Sequence, residues 1–267
     1  MFYLAGSAEP TNSEEFIHAV DGGIREVLSF GSNAKIITFA GDYPAFDALH
    51  VNLTDSRLDA SHPPQKPGSH GVAKADITAK TLQVIAHPLR IDAGRISLKL
   101  MAHAVTLGYA TDASGRRMLV PVSSERGSLS VEISRADLEA LILARATIAA
   151  AQQGAKITGL ELKLTAHGER SLAIDLRVHA KKMMMAGIVR ISGNIEVDDT
   201  FTARLSQMEC AGEGVAGKIA AGFLSPKIKQ VDGRSFPLAD ESLNGLRLRD
   251  LRITSVDPVR IVAAFGN

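Results

Sequence analysis

The sequence predicts an α+β fold: a long, curved antiparallel sheet wrapped around amphipathic helices. Three observations carry that expectation. Apolar and polar residues alternate through many segments, the period-two mark of strands with one buried face. Three other segments repeat their apolar residues every three to four positions, as helices do. The apolar stock is aliphatic, since 45% of the 267 residues are hydrophobic yet only 4% are aromatic, with nine Phe, three Tyr and no Trp. A chain of this length buries about 73% of its unfolded surface, enough for a core without staples.

The first helix is expected from about Ser13 to Phe30, where Phe16, Val20, Ile24, Val27 and Leu28 share a stripe and Gly31 offers a C-terminal stop. Leu49, Val51 and Leu53 then alternate with His50, Asn52 and Thr54, and Ile96 to Ala102 and Leu129 to Ile133 continue the pattern. A second helix is expected over Ser134 to Gln153, with Ser134 capping the turn that holds Asp137 and Gly154 ending it. Strand patterns resume at Leu160–Leu164, Leu172–Val178, Val189–Ile191 and Phe201–Leu205. A third helix, Gly214 to Leu224, repeats Val215, Ile219 and Phe223 until Pro226 breaks it, and strands at Leu246–Leu248 and Val259–Ala263 close the chain. Half-wet strands of this kind belong to antiparallel sheet, which argues against a doubly wound α/β fold. The breaks at Ser61–Ser69 and Asp112–Arg117 lack the character of interdomain linkers, so one domain over residues 1–267 is expected.

Thirty Lys and Arg against 29 Asp and Glu leave a formal charge of +1, which argues against a nucleic-acid footprint. The single cysteine, Cys210, excludes an intrachain disulfide and a Cys-rich zinc site. No apolar run reaches the roughly 18 residues of a spanning helix. Met1 to Ala8 is too short, and lacks the basic start, for a complete signal peptide.

Gly212, Gly214, Gly217 and Lys218 match the dinucleotide G-x-G-x-x-G. The preceding strand alternates, Ile219 stands where a phosphate loop needs Ser or Thr, and only 50 residues follow Gly217. A Gly-rich strand-to-helix turn is the favoured reading. The eight histidines are scattered without ligand spacing; His50, His103 and His179 fall at polar strand positions and are expected in solvent. There is no G-x-S-x-G elbow, so no catalytic residue, metal or cofactor is assigned. Asn52-Leu53-Thr54 forms a sequon within a strand pattern, where chance is the better account. Arg247 and Arg249 project from one strand face and could meet anionic head-group oxygens, although a solvated face balanced by Asp250 is the preferred reading. Met183, Met184 and Met185 suit an adaptable apolar wall or core filling.

Aliphatic inner faces closed by Ala-rich helices can leave a dry elongated cavity as readily as a packed core, and such cavities are lined mainly by apolar side chains. Each buried methylene of an acyl chain is worth about 0.8 kcal/mol there.

The layout also resembles the LmeA-like family of bacterial phospholipid-binding envelope proteins, related in architecture to the tubular lipid-binding superfamily. The matching features are the helix Glu14 to Phe30, the segment Phe39-Ala-Gly-Asp-Tyr-Pro-Ala-Phe46, and Asp47 to Leu58, similar to the strand after the family's first proline-containing turn. Gly127 to Leu138 resembles the strand leading into its central helix, and Phe236-Pro-Leu with Leu243 to Ile253 resembles its closing strand pair. The likeness runs in order along nearly the whole chain. It implies lipid binding in a hydrophobic groove, an envelope or periplasmic setting and no catalytic residues. A signal peptide or lipoprotein cysteine near the start is not evident, and a cytoplasmic location follows if that absence is genuine.

The expected function is therefore non-enzymatic binding, or transfer, of phospholipid or fatty-acyl ligands in an elongated apolar groove. The lipid-facing residues are expected to be Phe16, Val20, Ile24, Leu141, Ile142, Met183, Met185, Ile219 and Phe223, with Arg247 and Arg249 toward a head group. The partner is a lipid or other long apolar ligand, with peripheral membrane contact as a further option and no nucleic acid. A structural or protein-interaction module with a solid core is the first alternative, and a hydrolase or nucleotide-using enzyme the second.

Overall fold

A computed structural model describes residues 2–6, 9–32, 34–58, 74–182, 185–238 and 246–267. The chain packs as two compact units, one comprising Met1–Glu132, Ala239–Asp250 and Val262–Asn267, the other Ile133–Leu238 and Leu251–Ile261. The class is α+β: among the described residues there are two sheets, mostly antiparallel, and few helices.

The first unit holds β1 (Phe2–Tyr3), α1 (Ser13–Val27), β2 (Leu28–Ser29), β3 (Ile37–Asp42), β4 (Ala45–Asn52), β5 (Arg57–Leu58), β6 (Lys74–Ile91), β7 (Gly94–Thr111) and most of β8 (Arg117–Ile133). Asn12 caps α1 by accepting from the Glu15 amide at 2.9 Å, while the Glu15 carboxylate accepts from the Thr11 amide and hydroxyl at 2.8 and 2.9 Å. Those bonds hold the exposed Glu15 carboxyl below its ordinary pKa. The inward stripe is Phe16, Ala19, Val20, Gly23 and Ile24. Gly23 is obligatory, because the Tyr3 carbonyl occupies the space of a Cβ. The helix ends at Val27, short of Gly31: Leu28 turns extended, is buried, and pairs with Leu58. Here strand pairing wins over the glycine stop.

Chain order in the second unit runs α2 (Arg135–Ala151), β9 (Lys156–Gly168), β10 (Ser171–Lys182), β11 (Met185–Val197), β12 (Thr202–Glu213), α3 (Gly214–Val231) and β13 (Ser235–Pro237). The last strands, β14 (Arg247–Thr254) and β15 (Val259–Gly266), carry residues of both units. Ser134 caps α2 as expected, accepting from the Asp137 amide at 3.0 Å and donating to its carboxylate at 2.5 Å. Pro226 lies inside α3 and does not end it.

The larger sheet has ten strands in the order β14-β15-β8-β7-β6-β4-β3, with β1 on β8 and β2 on β5, and does not close into a barrel. It is mixed: β4 and β5 both run parallel to β6, where alternation had suggested antiparallel pairing throughout. Alternation reports one buried face and carries no strand direction. The smaller sheet is the antiparallel order β13-β12-β11-β10-β9.

Of the expected loops, Asp112–Arg117 is the turn between β7 and β8. The Asp112 carboxylate accepts from the Ser114 amide and hydroxyl, the Arg116 amide and the Tyr3 hydroxyl at 2.7–2.9 Å. The other, Ser61–Ser69, lies outside the described residues.

Candidate functional site

Within the first unit, α1 and the strands beside it enclose an apolar cavity of about 190 Å³. Its wall from α1 is Phe16, Val20 and Ile24, one residue per helical turn. The strands supply Ile37, Leu49 and Val51, then Leu82 and Val84, then Leu100, Ala102, Val105 and Leu107. Leu119, Pro121, Ser124, Leu246 and Phe265 complete it. On β7 the inward positions change parity between Ala102 and Val105, because Ala104 adopts φ 48°. That positive-φ residue, which leaves the pairing with β6 in register, lets both halves of one long strand face the same space.

No lining side chain carries an acid, a base or a reactive thiol. Ser124, the polar one, is fully buried and its hydroxyl donates to the carbonyls of His103 and Arg126 at 3.0 and 3.1 Å. Aromatic packing steadies the α1 wall: Phe16 lies 5.3 Å from Phe46 and 5.9 Å from Tyr43, centroid to centroid. Tyr109 follows the lining residue Leu107 on β7 without itself forming part of the wall, and burial raises its phenol above its usual pKa, with Tyr43 adding to the effect. These features suit an uncharged, dry occupant.

Phe16, Val20 and Ile24 thus meet as expected, but other expected residues do not join them. Leu141 and Ile142 on α2 are half-buried in the second unit and line no part of the cavity. Ile219 and Phe223 were expected to face the interior, yet they are 48% and 73% exposed, and Val215 is 60% exposed. The reason is local: α3 turns Gly217 and Ala221 to the sheet, and backbone-close packing leaves its larger side chains outside. Met185 is exposed as well, and Met183 lies outside the described residues. Arg247 and Arg249 are both exposed at alternate positions of β14.

The glycine motif is a packing device. Gly212, near the end of β12, lies against the Gly217 carbonyl, Gly214 has φ 71°, and Gly217 sits on Ile188. An antiparallel strand precedes the helix, which is not the dinucleotide setting. Among the described residues no three His, Cys, Asp or Glu side chains group as a metal site. His50 departs from expectation, since its Nε2 is buried without a hydrogen-bond partner. Burial also pushes the Cys210 thiol up, away from nucleophilic activation.

A second depression, about 710 Å³, lies along the smaller sheet and includes Lys163, Asp175, Ser192, Asn194, Gln207 and Glu209. Its polar groups pair locally: Asn194 donates to Gln207 at 2.8 Å, and Arg190 grips Asp175 with two bonds of 3.0 and 2.5 Å, lowering that carboxyl's pKa. It reads as a solvated strand face.

Sequence reasoning missed most of the strand residues of the cavity wall. Leu49, Val51, Leu100 and Ala102 were legible as inward positions, but nothing in the alternation says which inward positions leave space unfilled. Comparison with protein-family models, curated proteins and solved structures finds no match to this chain.

Proposed function

We propose that the protein binds fatty-acyl or phospholipid ligands without catalysing their conversion, taking a hydrocarbon segment into the cavity beside α1. The observation that carries this reading is the composition of the wall, aliphatic and aromatic around about 190 Å³. A cavity of about 150 Å³ lined by Leu, Ile and Phe stays dry and takes benzene. The space here therefore holds roughly six or a few more carbons, which is one segment of one tail.

Six methylenes at about 0.8 kcal/mol each give about 5 kcal/mol. That corresponds to a sub-millimolar dissociation constant, so a tighter ligand must gain the rest outside the cavity. A tubular lipid-binding-like architecture and a bacterial envelope setting complete the proposal, and they rest on the resemblance in the sequence.

Titration with a fluorescent fatty-acyl probe, alongside mass spectrometry of lipids extracted from protein of its native host, tests this. One saturable site at sub-millimolar or better affinity is expected. No saturable uptake together with lipid-free native protein would favour a module whose apolar faces serve packing or protein contact. Stabilisation by nucleotides would favour the enzyme reading.

A further inference from the structure

Helix α3 has two apolar faces of different character. Toward the sheet it presents Gly217 and Ala221, buried, with Leu224 and Ile228 half-buried, and Ala216, also buried, bounds the outward face beside Phe223. Outward, Val215, Ile219, Gly222, Phe223 and Pro226 are all exposed and, at 3.6 residues per turn, share an arc of about 100°. Gln230 in the last turn is the polar interruption. Lys218 and Lys229 run along one border of this arc and Lys227 along the other, each exposed. The helix contains no carboxylate; Glu213 and Asp232 stand just beyond its ends, and Asp232 accepts from the Met208 amide at 3.0 Å.

We infer that this face of α3 docks the protein on an anionic lipid surface. An apolar stripe bordered by cations is the pattern of a helix that lies in a membrane interface. The lysine stems can cover apolar surface while their ammonium groups reach lipid phosphates. Spanning is not implied, since no helix among the described residues is long and apolar enough to cross a membrane. Charge decides between a membrane and a second copy of the chain: a two-fold contact through this stripe would set lysines against lysines. The inference goes beyond the cavity reading and uses residues of the other unit, so it stands if the cavity proves empty.

The test is co-sedimentation of the full chain with vesicles of phosphatidylcholine alone and of phosphatidylcholine mixed with phosphatidylglycerol. Binding to the mixed vesicles, weakening with salt, is expected. Each lysine adds about fivefold to partitioning, so the triple change Lys218→Glu, Lys227→Glu and Lys229→Glu should cut it by a hundredfold or more. Ile219→Ser with Phe223→Ser should abolish it, both variants keeping the parent thermal midpoint because these positions are exposed. No binding by the parent chain, or equal binding by the variants, would overturn the inference. So would a dimer in sedimentation velocity that the serine variant dissolves. Acyl-probe uptake measured in parallel keeps the two readings apart: uptake without vesicle binding sinks this one alone, and vesicle binding without uptake sinks the cavity alone.

Discussion

Gly187 of β11 and Gly217 of α3 meet backbone to backbone, the main-chain nitrogen of Gly217 occupying the space that a Cβ on Gly187 would need. Gly217 in turn rests on the carbonyl of Ile188, and Gly212 of β12 rests on the carbonyl of Gly217. Three glycines thus let a helix settle directly onto two strands, which is why α3 can bury its small face and leave Ile219 and Phe223 outside.

Gly217→Ala should cost roughly 1–3 kcal/mol, the usual range for overpacking a tight contact. Gly222→Ala on the exposed side of the same helix, where a Cβ meets nothing within 4 Å, should instead be neutral or gain up to about 1 kcal/mol from helix propensity. Urea unfolding of the two variants checks the contrast. Equal effects would show that α3 is seated differently.

Phe16→Ala should cost about 3–5 kcal/mol, because it removes a buried ring that packs on Phe46 and Tyr43 and enlarges the space beside it. The change should also relax ligand selectivity toward bulkier apolar probes. Denaturation midpoints and a probe-size series measure both effects.

Ala102→Phe addresses the cavity from its strand wall. Ala102 is buried and borders the space, so a ring there has volume to enter and the stability loss should stay within the roughly 1–3 kcal/mol of overpacking. Acyl-probe affinity should fall at least tenfold. Unchanged affinity in a folded variant would place the bound tail elsewhere.

Asp112 gives the pH dependence. Bonds from Ser114, and then from Tyr3 and the Arg116 and Ser114 amides, lower its carboxyl from 3.8 to about 2. A group depressed in the folded state contributes stability above its unfolded pKa and loses it as pH falls through the folded value. The contribution should therefore fade between about pH 4 and pH 2. In thermal melts across that window, the difference between the parent chain and Asp112→Asn should shrink as the medium becomes more acidic.

Much of the secondary structure was legible. Each alternating segment read in the sequence lies in or at the edge of a strand, and Ser134 and Asp137 form the cap their spacing suggested. The long strand β6 escaped because its inward side changes from Ile77 and Ala79 to Leu82 and Val84, and a register shift at Ala86–Leu89 interrupts the pattern again. In α3 the large apolar residues at every fourth position predict the inner face, but close packing favours whichever face is smallest, and that is the one carrying Gly217 and Ala221.

The sequence by itself determined the α+β class, the half-buried strands, the stripe of Phe16, Val20 and Ile24, and the absence of a recognisable catalytic motif. These are local properties, set by side-chain period and capping chemistry within a few residues. Only the tertiary structure decided that β4 runs parallel to β6, that α3 faces its phenylalanine outward, and that the wall beside α1 leaves about 190 Å³ unfilled. Each depends on how far apart non-neighbouring backbones come to rest, and that spacing is a sum over many contacts that no single segment encodes.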